Sequence, residues 1–417
     1  MKRLILLTLT FIPLLAYAQE KTDKFGIHFS GYVKNDFFYD SRKSVGIREG
    51  HFHLFPENIR YDADSVDINA KTTFNILSIQ SRLRGDITGP DAFGAKTSGV
   101  IEGEFYGTTD ASINCFRVRH AFAKLSWATT DLTVGQTWHG MFFEECFPEI
   151  MDVNTGCPFQ PFSRNPQIKV TQHWKDFKFI LSVMSQRDFA EWAGPEILRN
   201  AALPELNLRI SYQHFNEDKT REIFVGGSAD YKVVVPRIVT DSNYATNSSL
   251  NAYAFSLVFK YRCPKVTFKL SGVYGQDLYN LTMLGGYAYQ HTTDSLTIAR
   301  GDFSYTPLNT VAGWLDFTTN GSKFKFGILG GFTKNLGSYN NILDWKDAGS
   351  YFARGWNISY VYRVSPRFVF QSGKIKMGLE GDYSVTGYGS KINSLGEVSE
   401  VKPVGGIRLT YSLFYYF

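Results

Sequence analysis

Charged and apolar side chains alternate in three consecutive segments of the chain. The charged positions are Arg82, Arg84, Glu102, Glu104, Arg117 and Arg119. Guanidinium groups bind carboxylates and phosphates through paired hydrogen bonds. The set has two compatible interpretations: a cross-strand lattice of ion pairs that stiffens a sheet, or a basic patch that binds anions. The four arginines exceed Asp86, Glu102 and Glu104 by one charge, so neutralisation would be incomplete.

A second charged set lies at about 139–165, in a segment with many apolar side chains. Its acids are Glu144, Glu145, Glu149 and Asp152, and its apolar residues include Phe142, Phe143, Phe147, Ile150 and Met151. A freely exposed loop is not expected to carry this much apolar surface. We expect the segment to fold inward, so that its acids face the arginines across a narrow passage. The alternative is an external loop at a subunit contact.

Period-2 alternation identifies β-strands as the elements that carry these charges. In the segment around Arg82, we expect Leu77, Ile79, Leu83 and Ile87 on one face and the polar residues on the other. An arginine or lysine facing lipid at mid-membrane costs about 2–4 kcal/mol. If the sheet lies in a membrane, the charged face must therefore line its interior.

Sixteen strand-like segments follow one another along the chain, for example at 70–88, 205–216, 250–262 and 352–371. Connections after even-numbered segments are short and contain turn residues. Most connections after odd-numbered segments are longer, and the segment at 139–165 is the third of these. This pattern is typical of transmembrane barrels with short periplasmic turns and long external loops. The predicted fold is all-β: a 16-stranded antiparallel transmembrane β-barrel over 19–417.

The two ends of the chain predict its destination. Residues 1–18 have a basic start, an apolar run and Ala16-Tyr17-Ala18, the features of a cleaved signal peptide. The last strand alternates to an aromatic final residue, Phe417, as in barrels of the Gram-negative outer membrane, where such a residue is read by the barrel assembly machinery. We therefore expect outer-membrane lipid and lipopolysaccharide around the barrel.

Composition excludes several other classes. Aromatic residues make up 16% of the 417 residues, which argues against disorder. After position 18 there is no apolar run long enough for a transmembrane helix. The net charge of +5 is too weak to predict nucleic-acid binding. We find no phosphate-cradling glycine loop or nucleophile elbow, and expect no enzymatic activity, cofactor or metal.

Several short sequence motifs together resemble those of the DcaP-type trimeric porins. They lie at 81–84, 88–90, 101–107, 116–122 and 135–138, and the likeness is clear over about 75–175. The resemblance implies a sixteen-stranded homotrimer that lets small anions such as dicarboxylates diffuse through it. Known members can carry an N-terminal coiled-coil segment, for which we expect no room here. A phosphate-selective porin and a non-conducting structural or adhesion barrel remain alternatives.

Smaller signals give three further expectations. His51 and His53 are expected in a solvated loop, with a metal site beside Glu49 as the less favoured alternative. His120 is expected to face outward at a subunit contact. Cys146 and Cys157 lie within one exported loop, so a disulfide between them is an option in an oxidising compartment.

Overall fold

Sixteen antiparallel strands form one closed barrel in the computed structural model, which describes residues 25–343 and 350–417. The wall strands are β1 Gly26–Asp40, β2 in two parts, Thr73–Leu77 and Arg82–Ala92, β3 Ala95–Glu104, β4 Arg117–Ser126, β5 Thr130–Trp138, β6 Arg164–Trp174, β7 Phe177–Met184, β8 Glu205–Phe215, β9 Glu222–Val234, β10 Leu250–Arg262, β11 Val266–Gln276, β12 Asn309–Thr319, β13 Phe324–Gly337, β14 Ile358–Ser372, β15 Ile375–Ile392 and β16 Val398–Tyr416. Each pairs with its chain neighbours, and β16 closes on β1 from Tyr32↔Tyr416 to Asp40↔Arg408. The predicted fold class and strand number are confirmed.

Alternation along the strands separates two environments. In β10, Tyr253, Phe255 and Leu257 are exposed on the outer wall, whereas Ser256 is buried on the inner wall. The outer wall is thus suited to lipid and the inner wall to polar groups. Among the described residues, no helix has the length and apolar character needed to cross a membrane. The predicted signal peptide, 1–18, lies outside the described residues.

Connections after odd-numbered strands are longer than those after even-numbered ones, as the sequence predicted, except that the last of them, 393–397, is shorter than the turn 216–221. We call the connections after odd-numbered strands loop 1 (41–72), loop 2 (105–116), loop 3 (139–163), loop 4 (185–204), loop 5 (235–249), loop 6 (277–308), loop 7 (338–357) and loop 8 (393–397). Loop 1 contains the hairpin Ser44–Ile47 and Phe52–Pro56; loops 6 and 7 share a sheet of Gly285–Tyr289, Tyr305–Pro307 and Tyr351–Arg354. Short helices, Glu196–Asn200 and Ser295–Arg300, lie in loops 4 and 6.

Strands β2 and β4 depart from strict alternation in the stretches that carry the charged residues. In β2, Leu77 pairs with Asp36 and Arg82 with Tyr32, so five steps on β2 match four on β1. This extra residue turns Ile79 inward, where it is 2% exposed, while Leu83 remains 42% exposed on the outer wall. The expectation that both share one face with Leu77 and Ile87 is wrong, because a bulge changes which face the alternation presents.

An apolar core lies inside the barrel, where loops 1 and 3 meet. Its buried members include Phe52, Leu54, Phe55, Phe142, Phe159 and Phe162. Phe142 stacks on Trp138 at the end of β5, with ring centroids 3.9 Å apart. Burial of these rings holds both loops against the inner wall.

Candidate functional site

The arginines and glutamates of β2, β3 and β4 form a continuous ladder of ion pairs. Pairing of β2 with β3 sets Arg82 opposite Glu104 and Arg84 opposite Glu102. Glu104 is fully buried; its carboxylate accepts from Arg82 Nη2 at 3.2 Å, Arg117 Nη2 at 2.9 Å and Arg119 Nη1 at 2.8 Å. These three guanidinium groups therefore share one counterion, the Glu104 carboxylate.

The ladder continues at both ends. Glu102 accepts from Arg119 Nε at 2.7 Å and Arg84 Nη1 at 3.1 Å, and Arg84 also binds Asp86 at 2.8 Å. At the external end, Asp188 of loop 4 contacts Arg117 at 2.9 Å and Arg164 of β6 at 2.7 Å. Every arginine of the ladder thus has a carboxylate partner, and five arginines face four acids.

A β-bulge in β4 gives the ladder its densest point. Glu102 pairs with His120 and Gly103 with Val118, so Arg119 is the extra residue. Arg119 and His120 consequently both face the interior. His120 is 5% exposed, with Nδ1 3.2 Å from Thr137 Oγ1 and Nε2 4.0 Å from Glu102. The prediction that His120 faces outward is wrong, because the bulge reverses the alternation.

Loop 3 crosses the barrel interior and contacts side chains of distant strands. Glu145 pairs with Arg209 of β8, and Glu149 with Lys269 of β11 at 2.8 Å. The Met151 N–H donates to Glu380 of β15 at 3.0 Å. Contacts with three wall strands, β8, β11 and β15, therefore fix the path of this loop.

The charged residues singled out in the sequence meet in part. A cavity of about 610 Å³ lies between loop 3 and the inner wall. Its lining includes Arg82, Arg84, Glu102 and Arg119 from the wall and Glu144, Glu149 and Asp152 from the loop. Glu104 and Arg117 lie behind this lining, and Glu145 lies apart beside Arg209. Asp152 is 3.3 Å from Arg408 of β16.

The loop acids differ in how firmly they hold a proton. Glu144 is open to lumen water but surrounded by protein; this enclosure raises its pKa, and Glu145 adds to the effect against the pull of Lys169. Enclosure also disfavours ionisation of Glu149, but Lys269 outweighs it and lowers the pKa to about 2. Arg209 likewise lowers the pKa of Glu145 against burial. Glu144 is therefore the first of these three to become neutral on acidification.

Lowering the pH toward the ordinary glutamate range should make the space beside loop 3 less negative and so more favourable to anions, because Glu144, with its raised pKa, takes up a proton before Glu145 and Glu149. The measurement is the reversal potential across a planar bilayer in a salt gradient. Glu144→Gln should abolish most of this pH response, whereas Glu145→Gln should retain it. An unchanged response in Glu144→Gln would contradict the assignment.

The structure shows the surroundings of Cys146 and Cys157 in loop 3 and of His51 and His53 in loop 1. Cys146 Sγ donates to the Phe259 carbonyl and Cys157 Sγ to that of Gln160, each at 3.4 Å, so both thiols are free and the optional disulfide is absent. His51 is buried and lies 2.7 Å from Asp36, and His53 is also buried. The expectation that these histidines are solvated is wrong, because the loop 1 hairpin folds inward.

A buried polar network that the sequence did not reveal ties loops 3, 4 and 6 to the wall. His139 Nε2 is 2.9 Å from Glu205, and Lys232 contacts Glu191 of loop 4 and Asp277 of loop 6. His139, Glu205 and Asp230 resemble a metal-ligand set, their ligand atoms lying within 4.8 Å of one another. However, His139 Nδ1 accepts the Met141 N–H, so Nε2 carries the proton that Glu205 accepts. The only sequence feature that could have indicated this network is the alternation that turns Asp230 and Lys232 toward the interior.

Comparisons with known proteins agree on the architecture. The DcaP outer-membrane channel of Acinetobacter baumannii superposes with a TM-score of 0.66 at 15% identity, covering 97% of this chain and 100% of that one. The fold is that of an outer-membrane porin. An anion-selective porin from Comamonas acidovorans gives 0.54 at 10% identity, with 94% and 100% covered. The trimer form of OmpT from Vibrio cholerae gives 0.51 at 11%, with 95% and 100% covered.

The likeness lies in structure rather than sequence. No family model matches the chain, and no curated protein is significantly similar to it. The porin fold is therefore established by the path of the wall strands. What this chain transports or binds depends on the charges inside the barrel.

Proposed function

We propose that the protein is a passive diffusion channel of the outer membrane for small hydrophilic solutes, with a preference for small anions such as dicarboxylates. The observation that carries the proposal is the cavity between loop 3 and the inner wall, where wall arginines and loop acids line the same space. Opposite charges across a narrow, protein-lined passage create a field that orients charged solutes. No catalytic step or cofactor enters this mechanism.

The neighbours support the same proposal. One is an anion-selective porin and another is described in a trimer form. We accordingly propose a homotrimer in the outer membrane, reached through the signal peptide and the assembly machinery that reads Phe417. The pore-lining residues proposed are Arg82, Arg84, Glu102 and Arg119 of the wall and Glu144, Glu149 and Asp152 of loop 3. Glu104, Arg117 and Glu145, also expected there from the sequence, are proposed to support this lining from behind.

The alternative function is a non-conducting barrel. It is favoured by the apolar core of loops 1 and 3, which fills part of the interior with residues such as Phe52 and Phe159. Single-channel recording of the purified protein in a planar bilayer distinguishes the two. Discrete conductance steps support the channel, and their consistent absence from folded protein supports the alternative.

The ladder's role in selectivity is tested by replacing two arginines together. Arg117→Gln with Arg119→Gln should lower the preference for anions, because Glu102 and Glu104 are then left partly uncompensated beside the cavity. The readout is the reversal potential in a salt gradient, which is recorded only from folded channels. Cation preference in the wild type, or an unchanged value in the double variant, would remove the ladder from the mechanism.

A further inference from the structure

A row of lysines crosses the inner wall beside the closure of the barrel. Lys34 of β1 and Lys376 of β15 both pair with Phe414 of β16, which lies between them. Each ammonium is 4.9 Å from the centroid of the Phe414 ring. Since neighbouring strands are about 4.8 Å apart, the backbones carrying the two lysines are about 10 Å apart.

Lys325 of β13 belongs to the same basic surface. Lys325 and Lys376 line one small cavity, together with Arg367, Gln371 and Glu149. Lys376 also lines the larger cavity under loop 3. Both lysines lie one or two residues after a short turn, so this surface is at the short-turn end of the lumen.

The cations of this surface differ in whether they form an ion pair with an acid. Lys34 contacts Asp36 at 3.1 Å, and Arg367 contacts Asp316 at 2.7 Å. Among the residues that the structure describes, no carboxylate forms an ion pair with Lys325 or Lys376. Glu149, the nearby acid, is bound to Lys269. Two ammonium groups thus share a confined space whose one acid, Glu149, already has a direct partner in Lys269.

This arrangement differs from the arginine ladder, where each guanidinium is held by a glutamate or aspartate. A cation already paired within the protein has less of its field available to a solute. An unpaired lysine acts as a point charge toward an anion, and a bound anion would relieve the repulsion between neighbouring ammonium groups.

We propose that Lys325 and Lys376 form a binding subsite for doubly charged small anions at the short-turn end of the lumen. The proposal rests on the channel function proposed above and assigns the anion contact to these lysines rather than to the ladder. Gln371, which lines the same cavity, supplies a neutral amide beside them. The chemistry suits inorganic phosphate and a four-carbon dicarboxylate equally.

The test is block of chloride current by added anion in single-channel recordings at pH 7. Phosphate and succinate, added separately, should each reduce the current in a saturable manner. Lys325→Gln with Lys376→Gln should weaken this block at least about tenfold, equivalent to about 1.4 kcal/mol. Lys124→Gln is the matched control, because Lys124 lies near the same end of β4 but is paired with Asp131 at 3.0 Å.

The outcomes separate the subsite from the channel. Unchanged block in the double variant, or an equal loss in Lys124→Gln, overturns the subsite while the channel stands. If the wild type does not conduct, the channel proposal fails, and calorimetric titration of the folded protein with phosphate still decides the subsite. Binding that the double variant loses supports it, and equal or no binding in both proteins rejects it. Block by only one of the two anions identifies which chemistry the subsite accepts.

Discussion

Replacing Glu104 by glutamine should destabilise the barrel by about 3–5 kcal/mol, the usual cost of breaking a buried ion pair by removing one partner. Glu104 is 0% exposed and lies within 3.2 Å of Arg82, Arg117 and Arg119. Glutamine keeps the shape but not the charge, so three guanidinium groups would repel one another around a neutral amide. Urea-induced unfolding in lipid vesicles, followed by tryptophan fluorescence, measures the loss.

Asp86→Asn is the matched control at the opposite end of the ladder. Asp86 binds Arg84 at 2.8 Å, but the two side chains are 43% and 36% exposed. Exposed pairs contribute up to about 1 kcal/mol, so this variant should remain close to the wild type. Equal stability losses in the two variants would show that burial does not determine the strength of the ladder.

Replacing Arg363 by glutamine should release loops 1 and 3 from the wall and raise the channel conductance several-fold. The guanidinium of Arg363 donates to the Leu54 carbonyl of loop 1 at 2.6 Å and to the Cys157 carbonyl of loop 3 at 3.1 Å. Asp382 beside it, at 3.2 Å, holds the arginine in place. Without these bonds two buried carbonyl groups lose their donors, which costs about 1–3 kcal/mol each. Single-channel recordings should show larger and noisier currents.

Arg60→Gln is the control for this release. Arg60 lies in loop 1, and its side chain is exposed, so its loss should leave the position of both loops unchanged. Currents of wild-type size and noise in Arg363→Gln would show that the apolar core alone holds the loops.

Local patterns predicted most of the wall. Alternation and turn residues are properties of neighbouring positions, so the strand at 250–262 coincides with Leu250–Arg262 and 205–216 with Glu205–Phe215. The prediction was less accurate where loops carry their own sheet. The segment 352–371 was expected as one strand, but Tyr351–Arg354 pairs with loop 6 and the wall strand begins only at Ile358.

Contacts between segments that are far apart in the chain could not be predicted from local sequence patterns. Glu145 and Glu149 are paired with Arg209 and Lys269, which no spacing along the chain indicates. The lysine row around Phe414 requires the register of three strands and the closure of the barrel. The part of the ladder on β2, β3 and β4 was predicted because these strands are consecutive in the chain. Arg164 and Asp188, which extend it, were missed because they come from β6 and loop 4.

The surplus residues in β2 and β4 bear on how such barrels change length during evolution. Deleting a residue from an ordinary wall strand exchanges the lipid-facing and water-facing sides of everything beyond the deletion. At Arg119, or between Ser78 and Ser81, a one-residue deletion would instead remove the bulge and preserve the orientation of both flanks. The same holds at Leu336 of β13 and Ser359 of β14, which are also extra residues in the strand pairing. Related barrels are therefore expected to gain and lose single residues at such bulges, while the regularly paired parts of the wall keep their length.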